Sequence, residues 1–205
     1  MQIPILNGST TDSEANFRTS LPLNLVPVAK ETGISKGYLR TADGMTEFAN
    51  SIYSGSSDRG AINWQGACYR VIGEWLTRVN SDGTISYLGA VENDGKRAAL
   101  AYSFDRLGVA SGGNMYYYSP SLGLQRVTDP DLGTVLDLTW VSGYFMTTDG
   151  TSLVVTELTD PTQVNPLKYG SSEVDPDPVV ALLKLRNEVY ALNRNTIEVF
   201  DNVGG

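Results

Sequence analysis

From Ala61 onward, apolar and polar residues alternate with the two-residue period of a β-strand. The pattern predicts strands over Thr84 to Leu88, Ala98 to Phe104, Asn114 to Tyr118 and Thr196 to Phe200. Leu136, Leu138 and Trp140 are spaced by two, with Asp137 and Thr139 between them, which predicts a half-buried strand. Turn chemistry separates these runs at Ser81-Asp82-Gly83, Asn93-Asp94-Gly95, Ser111-Gly112-Gly113 and Thr148-Asp149-Gly150, and Asp-Gly pairs supply the positive φ that tight hairpins need. No stretch carries sustained helical spacing, so the predicted class is all-β.

A strand–turn–strand unit also recurs. It reads Tyr69-Arg70-Val71-Ile72 then Glu74-Trp75-Leu76, and Gly108-Val109-Ala110 then Asn114-Met115-Tyr116. It returns as Tyr144-Phe145-Met146 then Thr151-Ser152-Leu153, and as Val189-Tyr190-Ala191 then Asn195-Thr196-Ile197. The starts lie 39, 36 and 45 residues apart. A four-stranded propeller blade takes roughly 40–50 residues, and a helical crossover does not fit each unit as well. The expectation is a β-propeller-like series of short antiparallel sheets, a partial propeller, over residues 51–205.

Residues 1–50 differ. Small and polar residues dominate Asn7 to Asn16, and Leu21-Pro22-Leu23-Asn24-Leu25-Val26-Pro27 follows as an apolar segment punctuated by proline. Each proline fixes φ and pushes its predecessor out of the helical region. Two readings fit: an extended N-terminal arm lying on a neighbouring surface, or an edge strand completing the last blade of its own propeller. A further insertion, Thr159 to Pro178, carries four prolines between the third and fourth repeats and reads as an elaborated contact loop.

Composition narrows the function classes. A formal net charge of −8, with no basic cluster, argues against a protein that grips nucleic acid, because phosphate binding rests on Lys and Arg displacing counterions. There is no histidine, which removes Ser-His-Asp and Cys-His nucleophiles and His-containing zinc sites. The single Cys68 excludes an internal disulfide and thiolate clusters, suits cytosolic assembly, and reads as a buried core thiol between Ala67 and Tyr69. No basic-then-apolar leader opens the chain, and its longest apolar run, Val179 to Leu183, is too short to span a bilayer.

The remaining chemistry is weak. Asn80 to Thr84 and Thr147 to Thr151 slightly resemble the aspartate-box turns of sialidase propellers, which are themselves structural. Glu173-Val174-Asp175-Pro176-Asp177-Pro178 lacks the glycine a calcium loop needs at its sharp turn and reads as a solvated linker. Asp129-Pro130-Asp131-Leu132-Gly133 reads as a turn. In Tyr116-Tyr117-Tyr118 the middle ring must point opposite its neighbours, so these rings predict packing between sheets rather than a stacking platform.

Several stretches, taken in order, resemble the tail-hub proteins of short-tailed bacteriophages, also called packaged-DNA stabilisation proteins. They are Leu21-Pro22-Leu23-Asn24 with Lys30-Glu31, Gly37-Tyr38-Leu39-Arg40 with Gly44-Met45, then Tyr69-Arg70-Val71, and finally Thr196-Ile197-Glu198. Asp43 stands where that family usually prefers proline. Family members are also generally about twice as long, so the resemblance covers their N-terminal half and leaves open sheet edges for a missing half or a partner to cover.

The resemblance implies a non-enzymatic virion component without cofactors: a ring-shaped homo-oligomer in the tail, assembled in the host cytoplasm. Such a ring helps close the DNA channel after packaging and meets the portal or tail-tube adaptor, the tail needle and the tailspikes. DNA would pass an acidic wall without specific binding, and tight binding to duplex DNA at low salt would contradict this. The expected contact surfaces are the arm from Ile3 to Val28 and the insertion, with Leu21, Leu23, Leu25, Val26, Tyr38, Arg40, Val164, Leu167 and Tyr169 as candidate interface residues. The competing class is a propeller-type carbohydrate-binding protein, or a glycosidase using paired carboxylates. A eukaryotic-style propeller hub fits less well because Trp-Asp repeat pairs are absent.

Overall fold

The computed structural model describes residues 24–29, 37–49, 56–158, 160–172 and 177–201. The chain divides into two compact units, Met1–Glu47 and Phe48–Gly205. In the first, β1 (Leu25–Ala29) and β2 (Gly37–Thr41) form an antiparallel hairpin. The apolar segment thus pairs with the Gly-Tyr-Leu-Arg stretch of its own unit, which neither reading of the arm anticipated. Leu21, Leu23 and the polar run Asn7 to Asn16 lie outside the described residues.

The second unit is a series of antiparallel sheets. The first contains β3 (Asp58–Trp64), β4 (Ala67–Ile72), β5 (Trp75–Val79) and β6 (Ile85–Ala90) in sequence order. The second contains β7 (Ala99–Tyr102), β8 (Leu107–Ser111), β9 (Asn114–Ser119) and β10 (Gly123–Arg126). The third is β11 (Asp137–Val141), β12 (Tyr144–Thr148), β13 (Ser152–Val155) and β14 (Gly170–Ser171). Among the described residues the fourth has β15 (Val179–Leu185), β16 (Glu188–Asn193) and β17 (Ile197–Phe200). The recurring unit in the sequence is the second and third strands of each sheet: β4–β5, β8–β9, β12–β13 and β16–β17.

Hairpin geometry follows local chemistry. Gln65-Gly66, Gly112-Gly113 and Ser142-Gly143 close two-residue turns with positive φ at both positions, matching the twist of the flanking strands. Asn93-Asp94-Gly95, expected as a hairpin signal, instead lies in the connection from the first sheet to the second. Asp129-Pro130-Asp131-Leu132 forms one turn of 3-10 helix over Pro130–Leu132, with the Asp129 carboxylate accepting the Asp131 amide at 2.9 Å.

The sheets stack by their faces. Trp64, Tyr69, Val71 and Leu76 of the first meet Leu107, Val109 and Tyr116 of the second. Ala110, Met115 and Tyr117 of the second meet Leu138, Phe145 and Val154 of the third. Val141, Met146, Leu153 and Val155 of the third meet Val179, Leu182, Val189 and Ala191 of the fourth. Apart from Ala110 and Ala191, each of these side chains contributes about 1.5–3 kcal/mol on leaving water. No such cluster joins the fourth sheet to the first among the described residues, so the stack is open.

A sheet inside a stack has no wet face, and this overturns the half-buried reading of Leu136 to Trp140. Asp137, Leu138, Thr139 and Val141 are all buried, while Leu136 is exposed just before the strand. The same geometry confirms the tyrosine reading: Tyr116 and Tyr118 pack toward the first sheet and Tyr117 toward the third. Cys68, expected as a core thiol, is only half-buried. The two-residue period gives the sealed face to Tyr69 and Val71, leaving Cys68 on the outward one.

Sheets approach most closely where a side chain is missing. A Cβ on Gly60 of β3 would lie 2.4 Å from the Ala98 carbonyl oxygen, beside the bond that the Ala98 amide donates to Arg59 O at 2.8 Å. Gly60→Ala is therefore expected to cost about 1–3 kcal/mol by forcing the first two sheets apart. Urea unfolding reads this directly, and an unchanged midpoint would rule out the close approach.

Candidate docking surfaces

The polar groups that are buried hold the scaffold together. Arg59 carries a side chain only 2% exposed, and it donates to Lys96 O at 2.7 Å, Gly73 O at 2.9 Å, Glu92 O at 3.0 Å and Asp94 Oδ1 at 2.8 Å. It fastens the connection between the first and second sheets to the first. Asp137 accepts the amides of Leu138 at 3.0 Å and Leu182 at 2.9 Å, tying the third sheet to the fourth, and burial pushes its carboxyl above the usual range.

Asp177, expected in a solvated linker, is buried instead. It accepts the amides of Arg194, Asn195 and Thr196 at the β16–β17 turn. Arg106 holds the Asp105 carboxyl below the usual range through a side-chain hydrogen bond. Burial pushes the Tyr117 hydroxyl up, and it donates to Pro161 O at 2.9 Å. The perturbed Asp105, Tyr117 and Asp137 each have a hydrogen-bond partner within the scaffold. Among the described residues, no group of three or more His, Cys, Asp or Glu is placed to hold a metal ion.

Among the described residues, four exposed surfaces are candidates for docking. On the hairpin, the pairs Val26↔Arg40 and Val28↔Tyr38 put Val26, Tyr38 and Arg40 on one face and Leu25 on the other. Leu25, Val26 and Tyr38 are exposed, and Arg40 forms a loose ion pair with Asp43 at 3.6 Å.

The insertion divides differently from the sequence expectation. Val164 is buried among Leu132, Val135 and Phe145, and its amide donates to Asp129 Oδ2 at 3.0 Å, so its side chain serves the chain's own core and not a partner. Leu167 projects at 91% exposure from a 3-10 turn over Pro166–Lys168. Tyr169 is exposed too, with its hydroxyl donating to Asp131 O. Part of the insertion supplies β14, which adds the fourth strand of the third sheet.

Sequence reasoning missed the other two surfaces. Phe104 stacks edge-on to Trp140 at 5.3 Å, and the Lys184 ammonium lies 4.7 Å over the Trp140 ring, linking the second, third and fourth sheets along one rim. On the fourth sheet's outward face, Leu183, Leu185, Ile197 and Val199 are exposed. The alternation over β17 carried a signal for this face. Which face would be sealed depends on a neighbour far away in sequence.

Comparison with known proteins places this scaffold. The chain is 29% identical over 220 residues to the tail hub protein gp10 of Salmonella phage P22, a match covering 99% of this chain and 44% of that protein. The chain thus spans less than half the length of this curated relative. Among solved structures, the computationally designed Ika8 protein matches with a TM-score of 0.57 at 12% identity, over 89% of this chain and 57% of that one. The designed Ika4 protein matches at 0.56 and 13% identity, over 77% and 99%. BamB from Moraxella catarrhalis matches at 0.55 and 10% identity, over 71% and 44%. At these identities the structures are alike in fold alone. The family model described as bacteriophage P22 Gp10, beta-propeller, matches residues 1–205 throughout, alongside a stack of four small antiparallel sheets, and the chain belongs to that phage-stabilisation family.

Proposed function

We propose that this chain is a structural component of a phage tail hub, acting through its surfaces and not through catalysis. The observation that carries the reading is the family match over the whole chain. The structure supports it physically, because its buried polar groups are spent on joining sheets and its exposed apolar residues cluster on a hairpin, an insertion tip and a sheet face. In the proposed assembly, copies form a ring in the virion tail, built in the host cytoplasm. The ring helps close the channel over packaged DNA and presents contacts to the portal or tube adaptor, the needle and the tailspikes. A net charge of −8 favours a wall past which DNA slides without phosphate contacts.

In this reading Leu25, Val26, Tyr38 and Arg40 on the hairpin, with Leu167 and Tyr169 on the insertion, are contact residues; Leu21 and Leu23 extend the arm. Deleting residues 1–47 is expected to leave a cooperatively folding sheet stack that no longer enters tails. Sedimentation of assembled particles checks it: normal incorporation of the shortened chain would remove the arm from the assembly.

A further inference from the structure

The β1–β2 hairpin has two outer edges, and they are not alike. The Ala42 amide donates to Asn24 O at 2.8 Å, which makes Asn24 and Ala42 a hydrogen-bonded pair of the antiparallel ladder. Such pairs alternate with non-bonded ones, so Val26 with Arg40 and Val28 with Tyr38 bond inward in the same way. The backbone groups of Leu25, Pro27 and Ala29 on β1, and of Gly37, Leu39 and Thr41 on β2, therefore point outward. Pro27 stands at the middle of the β1 edge and has no N–H to donate, which blunts that edge against a further strand. The β2 edge has no proline, and among the described residues no second strand pairs with it. It offers a complete row of donors and acceptors on a sheet of only two strands, a size that is marginal in water without more.

We propose that the β2 edge pairs antiparallel with the β2 edge of a second copy of this chain, joining two hairpins into one four-stranded sheet. The strand Gly37-Tyr38-Leu39-Arg40-Thr41 selects that occupant because it complements itself about a two-fold axis. With Leu39 opposite its counterpart and Gly37 opposite Thr41 at each end, every outward N–H and C=O of the two strands is used. The same register sets Tyr38 of one copy against Arg40 of the other, on both sides of the axis, in the closer non-hydrogen-bonded positions. Both side chains are exposed, and a guanidinium against an aromatic ring is an attractive pair. Sliding the strands by two residues in one direction sets Arg40 against Arg40, like charge on like; in the other it leaves Thr41 unpaired within the strand. The inference goes beyond the tail reading and rests on the hairpin alone, so either can fail without the other.

A seam of one short strand from each copy is small, so the contact is weak and reversible, with a Kd of about 0.1 mM. Sedimentation of the 205-residue chain is expected to show single copies at about 10 µM and mainly two-copy particles at about 1 mM. A chain that stays single throughout overturns the proposal. Leu39→Pro places on β2 the same block that Pro27 places on β1. It removes an outward N–H that the hairpin does not use and is expected to weaken pairing by about tenfold or more. Undiminished pairing overturns the proposal, since the copies then meet elsewhere. Leu39→Cys in a Cys68→Ser background keeps the test independent of any effect of the proline on the hairpin. Its two Cα atoms would lie about 5.5 Å apart across the seam, within disulfide reach, so mild oxidation is expected to give a covalent two-copy product. Tyr38→Cys and Arg40→Cys, each two residues out of register with its own counterpart, are expected to cross-link about tenfold more slowly. No cross-link at position 39, or equal rates at all three positions, overturns the proposal as well.

Discussion

Arg59→Met is expected to lower the unfolding free energy by about 3–5 kcal/mol, the usual cost of removing one partner from a buried charged network. The guanidinium occupies a site where three carbonyls and one carboxylate converge, and its side chain is almost fully enclosed. Met restores much of the volume but no donor. Ser111 still donates to Glu92 O at 2.5 Å, so the main losses fall on Lys96 O, Gly73 O and Asp94. Arg59→Lys is expected to recover less than half, because one ammonium cannot reach acceptors that a planar fork serves together. For a chain of this size the Met variant should melt about 10 °C lower. A calorimetric shift under about 2 °C would show that the connection between the first two sheets is held by other means.

Phe145→Ala is the second large effect, at about 3–5 kcal/mol. The ring is 1% exposed at the seam between the second and third sheets, with its centroid 5.0 Å from that of Tyr117. A Cβ on Gly108 would lie 2.9 Å from Phe145 Cε1 and 2.7 Å from Leu138 Cδ1, so the ring fills the space that the glycine leaves empty. The two positions are coupled by this fit. Gly108→Ala alone should destabilise by about 1–3 kcal/mol through overpacking, and Phe145→Leu alone by about 1 kcal/mol. Combined, they should cost less than their sum, since the smaller side chain makes room for the new methyl group. Additive losses in a denaturant series would show that the two residues do not share that space.

The sequence revealed what is periodic and hid what is long-range. Spacing located the second and third strands of every sheet, because alternation and turn chemistry are local properties. It also predicted the divided tyrosines, since a ring at position 117 must oppose those at 116 and 118. Asp137 looked like the wet side of a strand because its acceptor role depends on the Leu182 amide, 45 residues on. Val164 looked like loop and proved to be core because the insertion folds back on Asp129.

Arg59 gave no signal at all: it opens a strand beside Asp58, and its partners lie 14 to 37 residues away. Of the candidate interface residues, Leu25, Val26, Tyr38, Leu167 and Tyr169 are exposed. The fourth sheet's outward row was legible only in part: alternation over β17 set Ile197 and Val199 on one face, but which face is sealed depends on residues far away in sequence.

We propose that this chain is a stacked-sheet scaffold built into a phage tail. A cryo-electron microscopy map of the virion tests it most directly. Density for the four consecutive sheets is expected in a symmetric ring below the portal, with the hairpin unit against a neighbouring subunit. Complete, genome-filled virions that contain no copy of this chain would contradict it.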